Sequence, residues 1–392
     1  MRVAHIITRM IIGGAQENTL FSCQDLAQEH GDTVMLISGP SSGPEGALLG
    51  ETGSGEFQLS LIPSLCRAIH PWKDWRSYRA IKKQLRSFQP DVVHTHSAKG
   101  GMLGRLAAWS LGVPVIVHTV HGAPFHPYQS TLARSFFRRC EKYAARRCHK
   151  LISVADAMTD QLVQAGVAPR EKFCTIKSGM DVDCFTAAGT RRDQSRQSLG
   201  FQPEDIVIGK IARLFHLKGH DDLVRAAASV VRNQPRARFL LVGDGILRNS
   251  LEQQIEQAGL EKYFTFTGLV PPGEIPSLIG AMDMLVHTSL REGLARALPQ
   301  ALIAGKPVVS YDVDGAREVV IPGETGFLVP PRDIESLATA LSDLSIDPSL
   351  REKLGEEGKR RFTEPFRHQN MTRHIREVYC QLLDGGNGAG EG

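Results

Sequence analysis

Residues 289–320 read SLREGLARALPQALIAGKPVVSYDVDGAREVV. A carboxylate, Glu292, stands just before an apolar segment with helical spacing, and a second polar side chain, Gln300, interrupts that segment. A short apolar run, Pro307–Ser310, has the length of a buried strand, and the turn Asp314-Gly315 follows it. A helix, a buried strand and a glycine-containing turn in this order are typical of the βαβ units that build parallel sheets.

The same alternation of short apolar runs and helical patterns extends over the whole chain and predicts an α/β fold with parallel sheets. The predicted strands are Val3–Ile7, Val34–Ile37, Val92–His94, Val115–His118, Leu151–Ser153, Val207–Ile211, Arg238–Val242, Phe264–Thr267, Met284–His287 and Pro307–Ser310. Because 392 residues exceed what one hydrophobic core usually supports, we expect two domains. A polar stretch without clear periodicity, residues 186–203, predicts the linker between them.

Composition and charge exclude several classes of protein. No apolar run approaches the ~20 residues that a membrane-spanning helix needs. The seven cysteines never form a C-x-x-C pair, so we expect reduced thiols and a cytoplasmic protein. Residues 1–180 carry a net charge of roughly +8 and the remainder roughly −4, which favours an anionic partner for the first half. Nucleic acid is not predicted, since aromatic residues make up 6% of the chain and no nucleic-acid motif is present.

Two cations follow the predicted strand at 207–211. Arg213 is the first, and Lys218 comes five residues later, directly before Gly219 and a helical pattern. Cations at the carboxyl end of a strand can hold a diphosphate, although a solvated surface position is the alternative for each.

Taken together, residues 209–219 and 289–320 resemble the donor site of the retaining family-4 glycosyltransferases. The resemblance implies the GT-B fold, in which two facing Rossmann-like domains flank an interdomain cleft. It implies an acceptor-side domain at residues 1–184, completed by a C-terminal crossover helix at about 369–384. A nucleotide-sugar donor domain is expected at residues 185–368. Residues 385–392 read GGNGAGEG and are predicted to be a flexible tail.

The resemblance also implies roles for individual residues. The catalytic residues would be Glu292, His121, Arg213 and Lys218. The donor-binding residues would be Gly13, Gly14, Arg213, Lys218, Gly243, Val270, Gly293, Leu294, Ala295 and Gln300. Glu292 would hold a sugar hydroxyl, His121 would lie beside the reacting sugar, and the two cations would neutralise the departing diphosphate. For Glu292 alone, the alternative is a carboxylate favoured by the dipole of a following helix.

The segment after Glu292 provides two further predicted donor contacts. Gly293-Leu294-Ala295 are predicted to form the first turn of a helix, whose free amides would bind an anion. Gln300 stands where the family usually has a glutamate that binds the ribose hydroxyls. A glutamine carbonyl still accepts a hydrogen bond, but more weakly than a carboxylate.

No metal ion is predicted. His94 and His96 lie two apart on one strand face, which suits a zinc ion, but the sequence offers no clear third ligand. The Asp-Val-Asp triplets at 181–183 and 312–314 fall in predicted loops, and the resemblance implies metal-independent binding of the donor.

A run of cations at residues 134–150 has helical spacing. Arg134, Arg138, Lys142, Arg146 and Lys150 recur every four residues and would lie along one helix face. Such a helix is typical of contact with an anionic membrane, and an ordinary solvated face is the alternative.

The predicted function is transfer of a sugar, with retained anomeric configuration, from a UDP- or GDP-sugar to a glycan or lipid-linked acceptor. The process would be cell-surface polysaccharide or glycolipid synthesis in the cytoplasm, with the inner face of the cell membrane as a further location. No cofactor is expected beyond the donor itself. A sugar-nucleotide epimerase of the same fold and a binding protein that has lost turnover are the alternatives. The acceptor loops, around Ser38–Leu65 and Ala123–Ser130, carry no recognisable motif.

Overall fold

A computed structural model describes residues 1–41, 48 and 55–387. The chain divides into two compact units, Met1–Met180 with Arg367–Gly392 and Asp181–Phe366. Part of the first predicted acceptor loop, residues 42–47 and 49–54, lies outside the described residues, as do residues 388–392 of the predicted tail.

The first unit is built on a seven-stranded parallel sheet with the order β3-β2-β1-β4-β5-β6-β7. Its strands are β1 (Arg2–Arg9), β2 (Thr33–Gly39), β3 (Gln58–Leu61), β4 (Val92–His96), β5 (Val115–Val120), β6 (Lys150–Ser153) and β7 (Phe173–Thr175). Its first helices are α1 (Gly14–Gln28), α2 (Pro71–Phe88), α3 (Ala98–Ser110), α4 (Thr131–Ala145) and α5 (Asp156–Gln164). The central strands are buried on both faces, as expected for a parallel sheet covered by helices.

The second unit has a six-stranded parallel sheet with the order β10-β9-β8-β11-β12-β13. Its strands are β8 (Ile206–Ile211), β9 (Ala237–Val242), β10 (Phe264–Gly268), β11 (Met284–His287), β12 (Val308–Tyr311) and β13 (Gly326–Val329). Its helices are α6 (Val182–Thr186), α7 (Arg192–Ser198), α8 (His220–Asn233), α9 (Arg248–Gln257), α10 (Ile275–Ala281), α11 (Ala297–Ile303), α12 (Ile334–Ile346) and α13 (Pro348–Phe362). The predicted fold class, two parallel-sheet α/β domains, is confirmed.

The last helix, α14 (His368–Asn387), belongs to the first unit and packs against α1. The buried Asp25 carboxylate on α1 accepts hydrogen bonds from His368 Nδ1 at 2.9 Å and from Thr372 Oγ1 at 2.7 Å. Helix α14 continues to Asn387, beyond the predicted end of the crossover helix at about 384, and the flexibility of residues 385–392 stays a prediction.

The predicted linker at 186–203 is also wrong, because the segment contains α7 and packs onto the second unit. Arg192 and Arg196 each form an ion pair of 2.6 Å with Asp283. Arg196 Nε also donates to the carbonyl of Ala281 at 3.0 Å. The stretch is polar because its arginines bind the start of β11, so its composition does not indicate an exposed connection. The chain passes between the units at Met180–Asp181 instead.

Candidate functional site

The predicted donor residues of the second unit gather at one edge of its sheet. Strands β8, β11 and β12 are parallel neighbours, so the loops that follow them start from the same edge. Arg213 and Lys218 follow β8, Glu292 follows β11, and Asp314 follows β12. Strand order therefore brings residues that are far apart in the sequence to the same sheet edge.

Glu292 lies at the centre of this group. Its carboxylate forms an ion pair with Lys218 Nζ, and its Oε1 lies 3.6 Å from His287 Nε2. Its main-chain N–H donates to Asp314 Oδ2 at 2.7 Å. Burial opposes ionisation, but the approach of His287 and Lys218 outweighs it and holds the pKa of Glu292 well below its usual range. The side chain is thus an ionised acceptor near neutral pH and does not act as a proton donor.

The loops after β8 and β11 are fastened to each other. Thr288 Oγ1 donates to the carbonyl oxygen of Gly219 at 2.5 Å, and Leu290 N donates to that of Leu217 at 2.8 Å. Gly219 has a φ of 63°, and a Cβ there would lie 1.9 Å from the Thr288 carbonyl oxygen. Only glycine fits this crossing, which places Lys218 against Glu292.

Two buried side chains of this edge were missed by the sequence analysis. Lys210 is fully buried in β8 and its Nζ donates to Thr288 Oγ1 at 2.8 Å. Burial, with the nearby charge of Lys218, lowers the pKa of Lys210 to about 7. His287 is buried at the end of β11, and burial lowers its pKa. A lysine in the middle of an apolar strand was a usable signal, since lysine is almost never fully buried without a partner.

Arg213 is not part of the ion pair between Lys218 and Glu292. It is exposed, and its guanidinium lies 5.0 Å from the centre of the Phe215 ring. Its carbonyl oxygen contacts His220 Nε2 at 3.1 Å, which fixes the main chain at this point. Both predicted phosphate-binding cations therefore lie in one loop, while their contact with a diphosphate stays a prediction.

Glycines shape the neighbouring loops. Gly243 has a φ of 130°, and a Cβ there would lie 2.3 Å from the Ala212 carbonyl oxygen. Its N–H donates to the carbonyl of Gly268 at 3.1 Å, two residues before the half-buried Val270. These contacts bring the turns after β8, β9 and β10 together, and the predicted donor contacts of Gly243 and Val270 stay predictions.

The predicted first helical turn at Gly293-Leu294-Ala295 is wrong. Helix α11 begins at Ala297, and the three residues form a loop. The Gly293 carbonyl accepts a hydrogen bond of 3.0 Å from Gly315 N, so the β12 loop holds this segment outside the helix. Gln300 lies within α11 and is buried.

The remaining predicted residues, Gly13, Gly14 and His121, belong to the first unit. Gly13 precedes α1, and its carbonyl accepts from Gln16 N at 3.1 Å and Glu17 N at 3.0 Å, whereas Gly14 begins the helix. His121 directly follows β5. Strands β1, β4 and β5 are neighbours, so these residues start from one sheet edge.

The half-buried His121 lies at the end of a row of three buried histidines, His5, His94 and His96. His5 and His94 are partners in the β1–β4 register, and His96 lies beside them. His5 Nδ1 lies 3.0 Å from His96 Nε2, and His96 Nδ1 lies 3.1 Å from His121 Nε2. Burial lowers the pKa of His5 to about 3 and that of His96 well below its usual value, so both rings are neutral.

His5 also supplies the third potential metal ligand that the sequence did not reveal. Ligand nitrogens of His5, His94 and His96 lie within 4.8 Å of one another. Both nitrogens of His94 have hydrogen-bond partners, Tyr379 OH at 2.5 Å and Thr119 Oγ1 at 2.7 Å. The geometry thus provides a hydrogen-bonded cluster, and the absence of a bound metal stays a prediction.

The tautomers along the row follow from one unpartnered atom. His5 Nε2 is buried without a hydrogen-bond partner among the described residues. A buried N–H without an acceptor is rarer than an unused lone pair, so the proton of His5 belongs on Nδ1. His5 then donates to His96 Nε2, and His96 donates through Nδ1 to His121 Nε2. Because His121 Nε2 accepts this hydrogen bond, the neutral ring of His121 carries its proton on Nδ1.

A first prediction concerns this tautomer. Long-range proton–nitrogen spectra of protein with isotope-labelled histidine should show His121 protonated at Nδ1. Replacement His5→Asn should give a mixture of tautomers at His121, whereas His374→Asn, at an exposed position of α14, should leave it unchanged. A wild-type His121 protonated at Nε2 would contradict the proposed direction of the row.

The predicted basic segment proves shorter than expected, since α4 ends at Ala145 and Lys150 begins β6. Arg146 and Lys150 therefore do not extend the helix face.

Helices α2 and α4 both pack against α3 and expose cations and aromatic rings. We define the basic aromatic face by its exposed residues Trp72, Lys73, Trp75, Arg76, Arg79, Arg134, Phe136, Arg138, Arg139, Lys142 and Tyr143. Within the described chain, no helix has both the length and the apolar character needed to cross a bilayer.

Comparison with known sequences identifies two matching families. Residues 191–361 match Glycosyl transferases group 1, and residues 23–179 match the Glycosyl transferase 4-like domain. An Escherichia coli protein, UDP-Gal:alpha-D-GlcNAc-diphosphoundecaprenol alpha-1,3-galactosyltransferase, is 28% identical over 386 residues, covering 98% of this chain and 97% of that protein. The 2-deoxystreptamine glucosyltransferase of Streptomyces kanamyceticus is 30% identical over 276 residues, covering 68% and 71% of the two chains.

Solved structures agree on the fold. Anabaena HepE in complex with UDP superposes with a TM-score of 0.81 at 22% identity, covering 97% of this chain and 100% of that chain. Sucrose-phosphate synthase from Thermosynechococcus elongatus gives 0.82 at 20% identity, covering 98% and 99%. The fold and the relatives define a glycosyltransferase of the GT-B fold that uses a nucleotide-sugar donor. The chain belongs to the group 1 glycosyltransferases, as the resemblance implied.

Proposed function

We propose that the protein transfers a hexose from a UDP-sugar, with retention of configuration, to a lipid-linked or glycan acceptor in cell-surface polysaccharide or glycolipid synthesis. The single observation that carries the donor assignment is the Lys218–Glu292 pair at the edge shared by β8 and β11. It lies in the segment that matches Glycosyl transferases group 1.

The proposed division of chemistry follows from the charges. When the glycosyl–phosphate bond breaks, the electron pair goes to the leaving diphosphate, and Arg213 and Lys218 would stabilise its negative charge. Glu292, ionised through its neighbours, would accept a hydrogen bond from a sugar hydroxyl. The acceptor oxygen forms the new bond on the same face, and its proton passes to the leaving phosphate oxygen. Glu292 thus acts as a positioning group and not as a covalent nucleophile.

The choice of UDP is supported by similar proteins. HepE was solved with UDP, and the name of the Escherichia coli relative specifies UDP-Gal as its donor and a diphosphoundecaprenol-linked acceptor. We assign the donor to residues 181–366 and the acceptor to the first unit, whose net positive charge suits a phosphorylated acceptor.

A second prediction tests the cations. The assay uses UDP-sugar donors and a polyprenyl-diphosphate-linked sugar as acceptor. Arg213→Ala and Lys218→Ala should each lower kcat by about 10²–10³-fold, because each removes a charge that stabilises the leaving group. The control is Arg225→Ala, an exposed α8 residue whose loss should change kcat less than about twofold. Equal activity of all three variants would refute the assignment, and donor interconversion without acceptor would indicate an epimerase.

A third prediction concerns Gln300. If its side chain accepts a hydrogen bond from the ribose, Gln300→Glu should lower KM for the UDP-sugar by roughly 3- to 10-fold, because a charged acceptor binds more strongly. The control is Gln257→Glu at an exposed position of α9. An unchanged KM in a folded Gln300→Glu protein would argue against the ribose contact. Full turnover by the wild-type protein would eliminate the alternative of a binding protein that has lost turnover.

We further propose that the enzyme works in the cytoplasm at the inner face of the cell membrane. The basic aromatic face supports this, because cations attract anionic lipid and tryptophans insert at the interface. Trp72 and Trp75 stack at 5.1 Å between ring centres while Trp72 remains 62% exposed. Exposed tryptophans beside cations are hard to explain as an ordinary solvated surface.

A fourth prediction follows for vesicle binding. The protein should sediment with phosphatidylglycerol vesicles and weakly or not at all with neutral phosphatidylcholine vesicles. The double replacement Trp72→Ser and Trp75→Ser should weaken binding by roughly tenfold or more, since it removes two aromatic rings that would insert into the lipid interface. Trp109→Ser, a 48%-exposed tryptophan of α3, is the matched control and should bind like wild type. No difference between these variants would exclude the basic aromatic face as the membrane contact.

A further inference from the structure

Strand β8 carries a fully buried lysine beneath the candidate donor site. Lys210 is the next-to-last residue of the strand, and its side chain has no exposed surface. Alternate residues of a strand share a face, so Lys210 lies on the side of Ile208, which packs in the core with Leu223 and Val224 of α8. A lysine on this apolar face is a cost to the fold unless its charge is used.

The ammonium group of Lys210 is incompletely bonded. Its Nζ donates to Thr288 Oγ1 at 2.8 Å, and within residues 1–41, 48 and 55–387 it forms no ion pair with a carboxylate. An ammonium has three N–H donors, so the charged form leaves two of them without an acceptor among these residues. Burial therefore opposes the charge and lowers the pKa of Lys210 to about 7. Near neutral pH the side chain is a mixture of charged and neutral forms.

Titratable groups from the β8 loop, α8, β11 with its loop, and β12 surround this lysine. They are Lys218, His220, Asp222, His287, Glu292 and Tyr311. The charge of Lys218 opposes protonation of Lys210, whereas Glu292 and Asp222 favour it. Burial lowers the pKa of both histidines, and Tyr311 OH donates to Asp222 at 2.9 Å. The protonation of Lys210 therefore depends on which charges arrive at Lys218.

The acceptor of the lysine is the hydroxyl that joins the two loops of the site. Thr288 Oγ1 accepts from Lys210 and donates to the carbonyl oxygen of Gly219 at 2.5 Å. A neutral amine has a lone pair that competes with this carbonyl for the hydroxyl proton, whereas an ammonium has none. Protonation of Lys210 therefore directs the Thr288 hydroxyl to Gly219 and strengthens the crossing that holds Lys218.

A bound donor would change the charge balance around Lys210. In the proposed function, the anionic diphosphate lies at Arg213 and Lys218. An anion at Lys218 compensates the charge that opposes protonation of Lys210. A nearby opposite charge shifts the protonation equilibrium of a buried group by roughly 10- to 100-fold toward the charged form. Donor binding and proton binding then favour each other, as linkage requires.

We propose that Lys210 is a positioning residue of the donor site, which takes up a proton from the solvent when the donor diphosphate binds. The resulting ammonium fixes Thr288 and adds a positive charge behind Arg213 and Lys218. From there it stabilises the departing diphosphate without touching it. This inference rests on the proposed function, because it requires the diphosphate at Lys218.

The fifth prediction is the number of protons taken up per donor bound. It is measured by titration calorimetry of UDP-galactose and UDP-glucose in buffers of different ionisation enthalpy. Both phosphates of these probes are esterified and exchange no proton near neutral pH, unlike the terminal phosphate of UDP. The wild-type protein should take up about 0.5–0.8 proton at about pH 7.5–8. Uptake should fall to about 0.1 at pH 6, where Lys210 is already protonated before the donor binds.

Two lysine replacements locate the proton. Lys210→Met should reduce uptake below about 0.1 proton at every pH and weaken donor binding by roughly tenfold at pH 6, where the wild-type lysine is charged. The matched control is Lys306→Met. Burial also lowers the pKa of Lys306, to about 8, but this residue precedes β12 and therefore lies at the opposite edge of the sheet. Its variant should keep the wild-type uptake.

A further variant keeps Lys210 in place, in case Lys210→Met does not fold. Asp222→Asn removes a negative charge that favours protonation of Lys210, while the asparagine carbonyl still accepts from Tyr311. The pKa of Lys210 falls in this variant, so the maximum of proton uptake should move to lower pH. An unmoved maximum would contradict the role of Lys210.

The remaining outcomes also decide the proposal. Donor binding by the wild-type protein without proton uptake would refute this inference alone. Uptake that persists in Lys210→Met and disappears in His287→Gln would assign the proton to the histidine and overturn it. Loss of uptake in Lys306→Met as well would show that uptake is not specific to the site. Failure of the wild-type protein to bind either UDP-hexose would refute the proposed donor, and the inference with it.

Discussion

The crossing of the β8 and β11 loops in the second unit is the constraint on which the candidate donor site depends. Gly219 passes so close to Thr288 that no Cβ fits between them, and the Thr288 hydroxyl joins the two loops. Lys218 is thereby held against Glu292. A looser crossing would leave two solvated charges, which contribute little to stability or orientation.

Both units bury polar groups near the carboxyl edge of a parallel sheet, but they satisfy them differently. In the second unit, Lys210 is bound to Thr288 and its pKa falls to about 7 because it is buried. In the first unit, His5 and His96 share hydrogen bonds as neutral rings that extend to His121. Burial is costly for polar groups without hydrogen bonds, and in both units these side chains have hydrogen-bond partners.

The sequence predicted the central strands well because buried parallel strands are continuous apolar runs. It missed β3, β7 and β13, which lie at sheet edges or are only a few residues long. The linker prediction failed because it relied on polar composition. Residues 186–203 are polar because Arg192 and Arg196 bind Asp283, and composition alone does not distinguish a polar contact from an exposed connection.

The sequence by itself determined the α/β class and the family, and it singled out Arg213, Lys218 and Glu292 as candidate site residues. Apolar periodicity and motif spacing are local properties, so the sequence displays them directly. Only the tertiary structure decided which distant residues meet. His5 joins His96 through the pairing of β1 with β4, and α11 begins at Ala297 because Gly315 holds Gly293 in a loop. Strand order and loop crossings depend on contacts between segments far apart in the chain, which no local pattern records.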